Sequence, residues 1–218
     1  MAVTIPNSTV FNTAGYNATH TLSAFACNGT DSHLIVASFN RNPTADVTSI
    51  TANGVAMTLE KNQENAGTTA TQLYGYKINN ASFDIVANTP GYKQEAFVAI
   101  ALSGANQTDA VIGTPVGATA YNSTATTSYT GASGNLLIVA ITNDDSTKTF
   151  TASGCTQLQN FDHVTDVRQC FVGYVTATGS AQTIGATLSG DANYTIAIIE
   201  IDVVGVAGPV FIRSAVII

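Results

Sequence analysis

Residues 33–37 read HLIVA, and residues 136–140 read LLIVA. Residues 34–37 and 136–140 are apolar at every position, so both faces of each strand are apolar. This pattern predicts strands at the centre of a sheet with a packed layer on each side. Similar β-favouring runs recur between Gly, Asn, Ser and Asp turns at a spacing typical of a β-sandwich. No window carries the apolar stripe of an amphipathic helix. The sequence therefore predicts an all-β protein.

The two runs belong to an internal repeat. Four further segments, 16–19, 51–54, 75–76 and 98–100, match 121–124, 151–154, 173–174 and 196–198 in the same order. We therefore predict a two-sheet β-sandwich of about 12 strands, formed by two sequence-related halves. The predicted sandwich is a single domain over 1–204, with halves at about 14–104 and 118–204. Two tandem immunoglobulin-sized sandwiches are the alternative.

The clearest turn lies in segment 47–62, VTSITANGVAMTLEKN. Asn53-Gly54 separates two apolar alternations, and both residue types tolerate the positive φ angles of a two-residue hairpin turn. The segment predicts a β-hairpin centred on these two residues.

Composition excludes several functional classes. Only 10% of the 218 residues are charged and the formal net charge is −7, which argues against a nucleic-acid partner because phosphate binding requires clustered Lys and Arg. Residues 1–10 lack the basic and apolar regions of a secretory signal. The apolar stretch 196–218 is interrupted by Glu200, Asp202, Pro209 and Arg213, so we expect no membrane span.

The segments 47–62, 73–80 and 96–113 together resemble a family of β-sandwich modules common in tailed-phage virion proteins and some bacterial surface proteins. In that family an apolar strand is followed by a T-Y-N-G-x-x-L-T hairpin, an aromatic strand, and a strand that ends S-G-V-D-Q-T-x-P. The resemblance covers residues 31–116, and the second half more loosely. The corresponding final motif here has Ala105-Asn106 in place of Val-Asp, and the aromatic strand lacks Trp. The resemblance implies that the predicted two-sheet sandwich is jelly-roll-like, and that it is a non-enzymatic structural module on a particle or cell surface.

The densest polar cluster could form a Ca²⁺ site. Asp144, Asp145, Asp162 and Asp166 could supply oxygen ligands if the loops after Ile141 and Phe161 meet. The spacing fits no EF-hand, and turn formation by Asp side chains explains the same residues more simply.

Five tyrosines could form a sugar-stacking platform, and carbohydrate binding suits a jelly roll. They are Tyr74, Tyr76, Tyr92, Tyr121 and Tyr129. Tyr74 and Tyr76 share one strand face, however, so packing in the core is the better interpretation for these two.

The sequence contains no catalytic motif that we recognise, so we predict no catalytic residue and no cofactor. His-Glu-x-x-His, the Walker loop and the dinucleotide fingerprint are missing, and the GASGN segment at 131–135 lacks the final Gly of a nucleophile elbow. Clustered acids with perturbed pKa values in a cleft would instead favour a hydrolase. Cys27, Cys155 and Cys170 are expected to be free, although a Cys155–Cys170 pair across a hairpin remains open.

The apolar tail 205–218 is the best candidate for an interaction site. Its apolar residues Val210, Phe211, Ile212, Val216, Ile217 and Ile218 are β-prone and would be an aggregation hazard if left unpaired. They either form a strand within their own chain or pair with the sheet edge of a neighbour.

The resemblance implies a bacteriophage virion protein, such as a capsid decoration, head-fibre or tail-associated subunit. Its expected partners are other virion proteins and copies of itself, with a host-surface glycan as a further candidate. A carbohydrate-binding or adhesive module is the alternative function.

Overall fold

A computed structural model describes residues 2–12, 17–40, 47–65, 68–78, 81–93, 95–163 and 168–204. These residues form fifteen strands and no helix. The strands of the first half are β1 (Thr4–Asn12), β2 (Asn17–Cys27), β3 (His33–Asn40), β4 (Ser49–Ala52), β5 (Val55–Ala56), β6 (Thr58–Asn65), β7 (Thr69–Lys77), β8 (Ala81–Lys93) and β9 (Ala96–Ser103). Those of the second half are β10 (Val111–Tyr129), β11 (Leu136–Asn143), β12 (Phe150–Ser153), β13 (Thr156–His163), β14 (Arg168–Thr176) and β15 (Gln182–Ile201). The predicted all-β class is confirmed.

The strands form three antiparallel sheets. The first large sheet has the order β1-β9-β3-β7-β6, and a small sheet has the order β2-β8-β4-β5. The second large sheet has the order β10-β15-β11-β14-β13, and β12 joins it by pairing with β15. Strands β3 and β11 are central and fully buried, as their two apolar faces predicted.

Strands β10 and β15 are long, and each of them pairs in two parts of the second large sheet. The first part of β10 pairs with the end of β15, from Val111↔Ile201 to Asn122↔Ala192. After a register shift, Thr124 to Tyr129 pair with the start of β15 instead. The beginning of β15 also pairs with β12, whereas its end pairs with β11.

Three apolar clusters hold these layers together. The shared core contains side chains of both large sheets, among them Ile35, Val98, Ile138 and Ile199. The first inner core lies between the first large sheet and the small sheet, and includes Leu34, Val36, Ile50, Ile85 and Phe97. The second inner core joins the two parts of the second large sheet, and includes Val139, Phe150, Ile184, Ile196 and Ile198.

Polar contacts also cross between the two large sheets. The fully buried Arg168 donates through Nη1 to the Phe39 carbonyl oxygen at 2.8 Å. The hydroxyl oxygens of Thr71 and Thr195 lie 2.7 Å apart. The contacts pair β6 with β10 and β15, β7 with β15 and β11, β3 with β11, and β1 with β13. The two large sheets therefore pack face to face, with their strand orders running in opposite directions.

The observed sheets differ from the predicted pair of sheets with about 12 strands. Strand β1 and the first part of β10 were not predicted, because neither segment has a regular alternation of apolar and polar residues, and their side chains are mostly half-buried or exposed. Edge strands such as these are fixed by pairing with a neighbour, which their own composition does not reveal. The Asn53-Gly54 hairpin is confirmed, with Ala52 paired to Val55 and both turn residues at positive φ.

One of the sequence matches is displaced by one residue in the fold. Ile35 and Ile138 both point into the shared core, yet Ile35 pairs with Gly75 whereas Ile138 pairs with Tyr174. Consequently Tyr76 packs on the first inner core, while Tyr174 packs on the shared core. A one-residue displacement reverses the face of a strand residue, so Tyr76 and Tyr174 are not structurally equivalent.

No helix in the described part of the chain has the length and apolar character needed to cross a membrane.

Candidate functional site

A cavity of about 460 Å³ lies at the end of the first large sheet where β3 begins. Its walls are formed by β6, β7 and the segment 106–111, which leads from β9 to β10. The polar side chains that line it include His33, Glu60, Lys77 and Asp109. This cavity brings ionisable side chains of both charge signs together.

His33 is the most unusual of these residues because its imidazole is buried without a hydrogen bond. It is the first residue of β3, paired with Lys77 on one side and Leu102 on the other, and only 6% of it is exposed. Neither Nδ1 nor Nε2 has a hydrogen-bond partner among the described residues. Burial lowers the pKa of the imidazole to about 4, so the ring is neutral at pH 7.

Glu60 enters the cavity because of a bulge in β6. Leu59 pairs with Tyr74 and Lys61 pairs with Leu73, so Glu60 is an extra residue without a partner on β7. Burial raises the pKa of the Glu60 carboxyl, and the nearby negative charge of Asp109 raises it further.

Gly75 provides the space in which Glu60 and His33 approach each other. A β-carbon at Gly75 would lie 2.7 Å from Oε1 of Glu60 and 3.2 Å from Nε2 of His33. A side chain at this position would therefore collide with the carboxylate and crowd the imidazole.

The second half has the same backbone features with apolar residues at the matching positions. Strand β13 contains a bulge at Leu158, between Gln157↔Gly173 and Gln159↔Val172, as β6 does at Glu60. The strand that corresponds to β3 begins with Leu136, and both leucines belong to or pack against the shared core. The His33–Glu60 arrangement is thus a feature of the first half alone.

A second buried carboxylate, Glu200, has a complete set of donors. It accepts hydrogen bonds from the Tyr129 hydroxyl at 3.1 Å, the Ala132 amide at 2.7 Å and Asn135 Nδ2 at 2.7 Å. Burial, followed by the charge of Glu200, raises the pKa of Tyr129 to about 12. These hydrogen bonds connect the turn before β11 to β15, so the role of Glu200 is structural.

The candidate calcium ligands take part in turns. Asp144 accepts from the backbone amide and Nδ2 of Asn193, at 3.0 and 2.7 Å. Asp145 accepts from the amide and hydroxyl of Thr147, which lowers its pKa. Asp162 lies on β13, which β14 separates from β11, so about 10 Å lies between the backbones that carry Asp162 and Asp144. Asp166 lies outside the described residues.

No group of three or more His, Cys, Asp and Glu side chains suited to a metal ion occurs in the part of the chain that the structure describes. Among the described residues, Asp144, Asp145 and Asp162 therefore do not form a metal-binding group.

The tyrosines do not form a common platform. Tyr74 and Tyr129 are buried, at 4% and 6% exposure, and Tyr76 is half-buried against the first inner core. The side chain of Tyr92 lies outside the described part of the structure. Tyr121 on β10 is 68% exposed and is the one tyrosine of the set available for stacking among those described.

The three cysteines are free. Burial raises the pKa of the Cys27 thiol to about 11 and that of Cys170 to about 12, and it also raises the pKa of Cys155. Thiols with such high pKa values are poor nucleophiles at neutral pH.

The tail 205–218, with all six candidate assembly residues, lies outside the described residues. The structure describes the point from which it leaves. Val203 pairs with Ala105, and the Val204 amide donates to the Gly104 carbonyl oxygen at 3.0 Å. The tail thus begins beside the segment that forms one wall of the cavity.

The sequence interpretation missed His33, Glu60 and Asp109 as a group. One signal was present: the repeated apolar run has His33 where the second half has Leu136. The bulge that directs Glu60 into the cavity has no signature in the sequence.

Comparison with protein-family models, curated proteins and solved structures gave no match for this chain.

Proposed function

We propose that this protein is a non-enzymatic structural protein of a bacteriophage virion. In this proposal it is a capsid decoration, head-fibre or tail-associated subunit that assembles with other virion proteins and with copies of itself. The observation that carries the proposal is the β-prone sequence 205–218, which follows directly on the isolated bridge of Val203 with Ala105 and the hydrogen bond of Val204 to Gly104. A β-prone segment of this kind is suited to pairing with a neighbouring sheet edge.

The described surface supports assembly through backbone pairing. Val55, Leu59 and Tyr121 are its only large hydrophobic residues that are well exposed. Charged residues are scarce in the whole chain, at 10%. The described residues therefore offer a partner neither a large apolar patch nor a strongly charged surface. They do offer strands at the margins of the large sheets, which can pair with a partner through the backbone: β1, β6, β10 and β13.

We also propose that the chain arose by duplication of a jelly-roll-like unit that once formed a symmetric dimer. The large sheets support this idea, because β1-β9-β3-β7-β6 and β10-β15-β11-β14-β13 follow the same order along the chain. The bulges at Glu60 and Leu158 occupy matching positions. The reciprocal contacts of β6 with β10 and of β1 with β13 are those of a twofold interface.

Deletion of residues 208–218 tests the assembly role. We expect the shortened protein to keep its β-rich circular dichroism spectrum but to lose self-association in analytical ultracentrifugation and incorporation into particles. Replacing Phe211 and Ile217 by Ser in the full-length chain is a milder variant with the same expected outcome. Unchanged oligomeric state and unchanged incorporation would contradict the proposal.

Salt provides a second test of the same mechanism. Association by apolar burial and backbone pairing is expected to change little between low salt and 1 M NaCl, because screening acts on charges. Dissociation in 1 M NaCl would instead indicate an interface held by ion pairs.

The alternative function is carbohydrate binding, and the exposed Tyr121 is the observation that favours it. A glycan array, read with and without EDTA, tests this alternative on the wild-type protein and on Tyr121→Ala. A hydrolase is the third candidate, because Glu60 and Asp109 line one cavity and the pKa of Glu60 is raised by burial and by Asp109. Release of reducing sugar from the bound glycans, abolished in Glu60→Gln, would identify that activity.

A further inference from the structure

We propose that the cavity lined by His33, Glu60 and Asp109 binds an organic cation of the guanidinium or alkylammonium class. The structure places two carboxylates and a buried imidazole without hydrogen bonds around one space of about 460 Å³. The proposal stands apart from the virion role, because it concerns the chemistry of the cavity and not the assembly of the particle.

The hydrogen-bonding groups of the cavity favour a ligand that donates. The carboxylates of Glu60 and Asp109 can only accept when ionised, and a neutral imidazole offers one further acceptor. The neighbouring amides are already in use, since Asn106 Nδ2 donates to Asp202 at 2.7 Å and Gln107 Nε2 donates to the Ser32 carbonyl oxygen at 3.1 Å. A guanidinium group, with its five donors and no acceptor, is complementary to what is left.

The charges at the cavity favour a cation. Glu60 and Asp109 are close enough for the charge of one to affect the ionisation of the other, and burial adds to the cost of ionising Glu60. Lys77 and Asp109 both line the cavity and both are exposed to solvent, so with Glu60 the ionised side chains leave one negative charge in excess. A bound cation would relieve the repulsion between the two carboxylates.

The second half supports a ligand-binding role over a packing role. At the matching positions it has Leu136 and Leu158, which pack on the shared core. The same backbone therefore accepts two leucines. Burying His33 without hydrogen bonds is costly for stability, so the polar residues are better explained by a ligand than by the fold.

An organic cation fits better than a metal ion. The described residues contain no group of three or more His, Cys, Asp and Glu side chains suited to a metal. A planar cation spreads its donors over several ångströms and can reach acceptors that do not converge on one point.

The cation could come from the protein itself or from a free molecule. Arg213 is the only charged residue in the tail 205–218, and the tail leaves at Val204, beside the cavity wall. Nine residues of extended chain span about 30 Å, so Arg213 can reach a cavity of its own or of a second copy. This source rests on the proposed assembly role, whereas a free guanidinium compound or amine does not.

Isothermal titration calorimetry of the full-length chain with Nα-acetyl-arginine amide tests the proposal. We expect Arg213→Gln to bind this probe and not its uncharged analogue, Nα-acetyl-citrulline amide. Wild-type protein that binds equally well indicates a free molecule as the natural ligand, whereas wild-type protein that binds only weakly indicates that Arg213 occupies the cavity.

Variants of the cavity connect binding to the proposed residues. Glu60→Gln and Asp109→Asn, each in the Arg213→Gln background, are expected to weaken binding by about tenfold or more. Asp191→Asn removes an exposed carboxylate elsewhere and is expected to leave the affinity unchanged. Equal binding of the citrulline probe, no binding in Arg213→Gln, or full affinity in both cavity variants would overturn the proposal, as would displacement of the probe by Ca²⁺ or Zn²⁺ at micromolar concentration.

The readouts separate this proposal from the assembly role. Loss of self-association on deletion of 208–218, with no probe binding to Arg213→Gln, would leave the assembly role standing and refute the cation site. Probe binding with unchanged self-association after the deletion would do the reverse.

Discussion

At the scale of single residues, Glu200 and His33 illustrate opposite ways of burying a polar side chain. Glu200 is 4% exposed and has three donors, whereas His33 is 6% exposed and has no hydrogen-bond partner among the described residues. A buried group with all its hydrogen bonds adds to stability, and one without them reduces it. The two residues therefore respond differently to substitution.

Glu200→Gln is expected to lower the free energy of unfolding by about 2–3 kcal/mol, because an amide presents a donor where three donors already converge. Urea denaturation followed by circular dichroism measures the change. Asp191→Asn is the matched control, since Asp191 is an exposed carboxylate on the same strand. Equal stability of Glu200→Gln and wild type would mean that the network contributes little.

The pH dependence of stability reports on His33. Its pKa is 6.5 in the unfolded chain and about 4 in the folded protein, so the unfolded chain binds one more proton between these values. The free energy of unfolding therefore does not depend on the protonation of His33 above pH 6.5, and it decreases as the pH is lowered from 6.5 towards 4.

Between pH 7 and pH 4.5, we expect wild type to lose about 2–3 kcal/mol more than His33→Leu. Urea titrations of both proteins at the two pH values give the difference. Leu is the residue that the second half has at the matching position, so the variant is expected to fold. His20, whose pKa is also lowered by burial, is present in both proteins and cancels. A pH dependence that is the same in both proteins would contradict the assignment.

At the scale of strands and turns, a strand can be predicted from the sequence more readily when both of its faces are buried. Strands β3 and β11 could be predicted because both of their faces are apolar. Strand β1 and the first part of β10 could not, because edge pairing fixes them and their side chains are largely half-buried. The sequence did not predict the cavity for a related reason. His33, Glu60 and Asp109 come together through the bulge in β6 and the segment that leads from β9 to β10, and neither feature leaves a periodic pattern in the sequence.

Two glycines at corresponding positions of the sequence repeat, Gly54 and Gly154, provide a matched pair for a prediction on turns. Gly54 has a φ of 76°, and no atom lies within 4 Å of the position that a β-carbon would take, so Gly54→Ala is expected to cost only the strain of positive φ, about 1 kcal/mol. Gly154 has a φ of 67°, and a β-carbon there would collide with the Thr183 carbonyl oxygen. Because backbone on β15 would have to shift, we expect Gly154→Ala to cost about 3 kcal/mol or more.

Thermal unfolding of the two alanine variants measures this difference. The expected result is a clearly lower midpoint for Gly154→Ala than for Gly54→Ala. Similar midpoints would mean that β12 and β15 can move apart near Gly154 without a loss of stability.

At the scale of the whole molecule, the shared core determines whether the halves are independent. Ile35 from the first large sheet and Ile138 from the second are fully buried in the same cluster. The sequence repeat indicated two sets of strands, but it could not indicate which face of each strand meets the other half. The matching segments 75–76 and 173–174 illustrate why, since a displacement of one residue exchanges the two faces.

If the shared core joins the halves into one folding unit, every core substitution lowers the midpoint temperature of the same unfolding transition. Ile35→Ala and Ile138→Ala change the shared core, whereas Ile50→Ala changes only the first inner core and Ile184→Ala only the second. Each substitution removes a fully buried side chain and is expected to cost about 2–5 kcal/mol. Differential scanning calorimetry should then show one transition in all four variants, with equal calorimetric and van't Hoff enthalpies. Two transitions, of which Ile50→Ala lowers one and Ile184→Ala the other, would instead identify two independent sandwiches, with the shared core acting only as an interface between them.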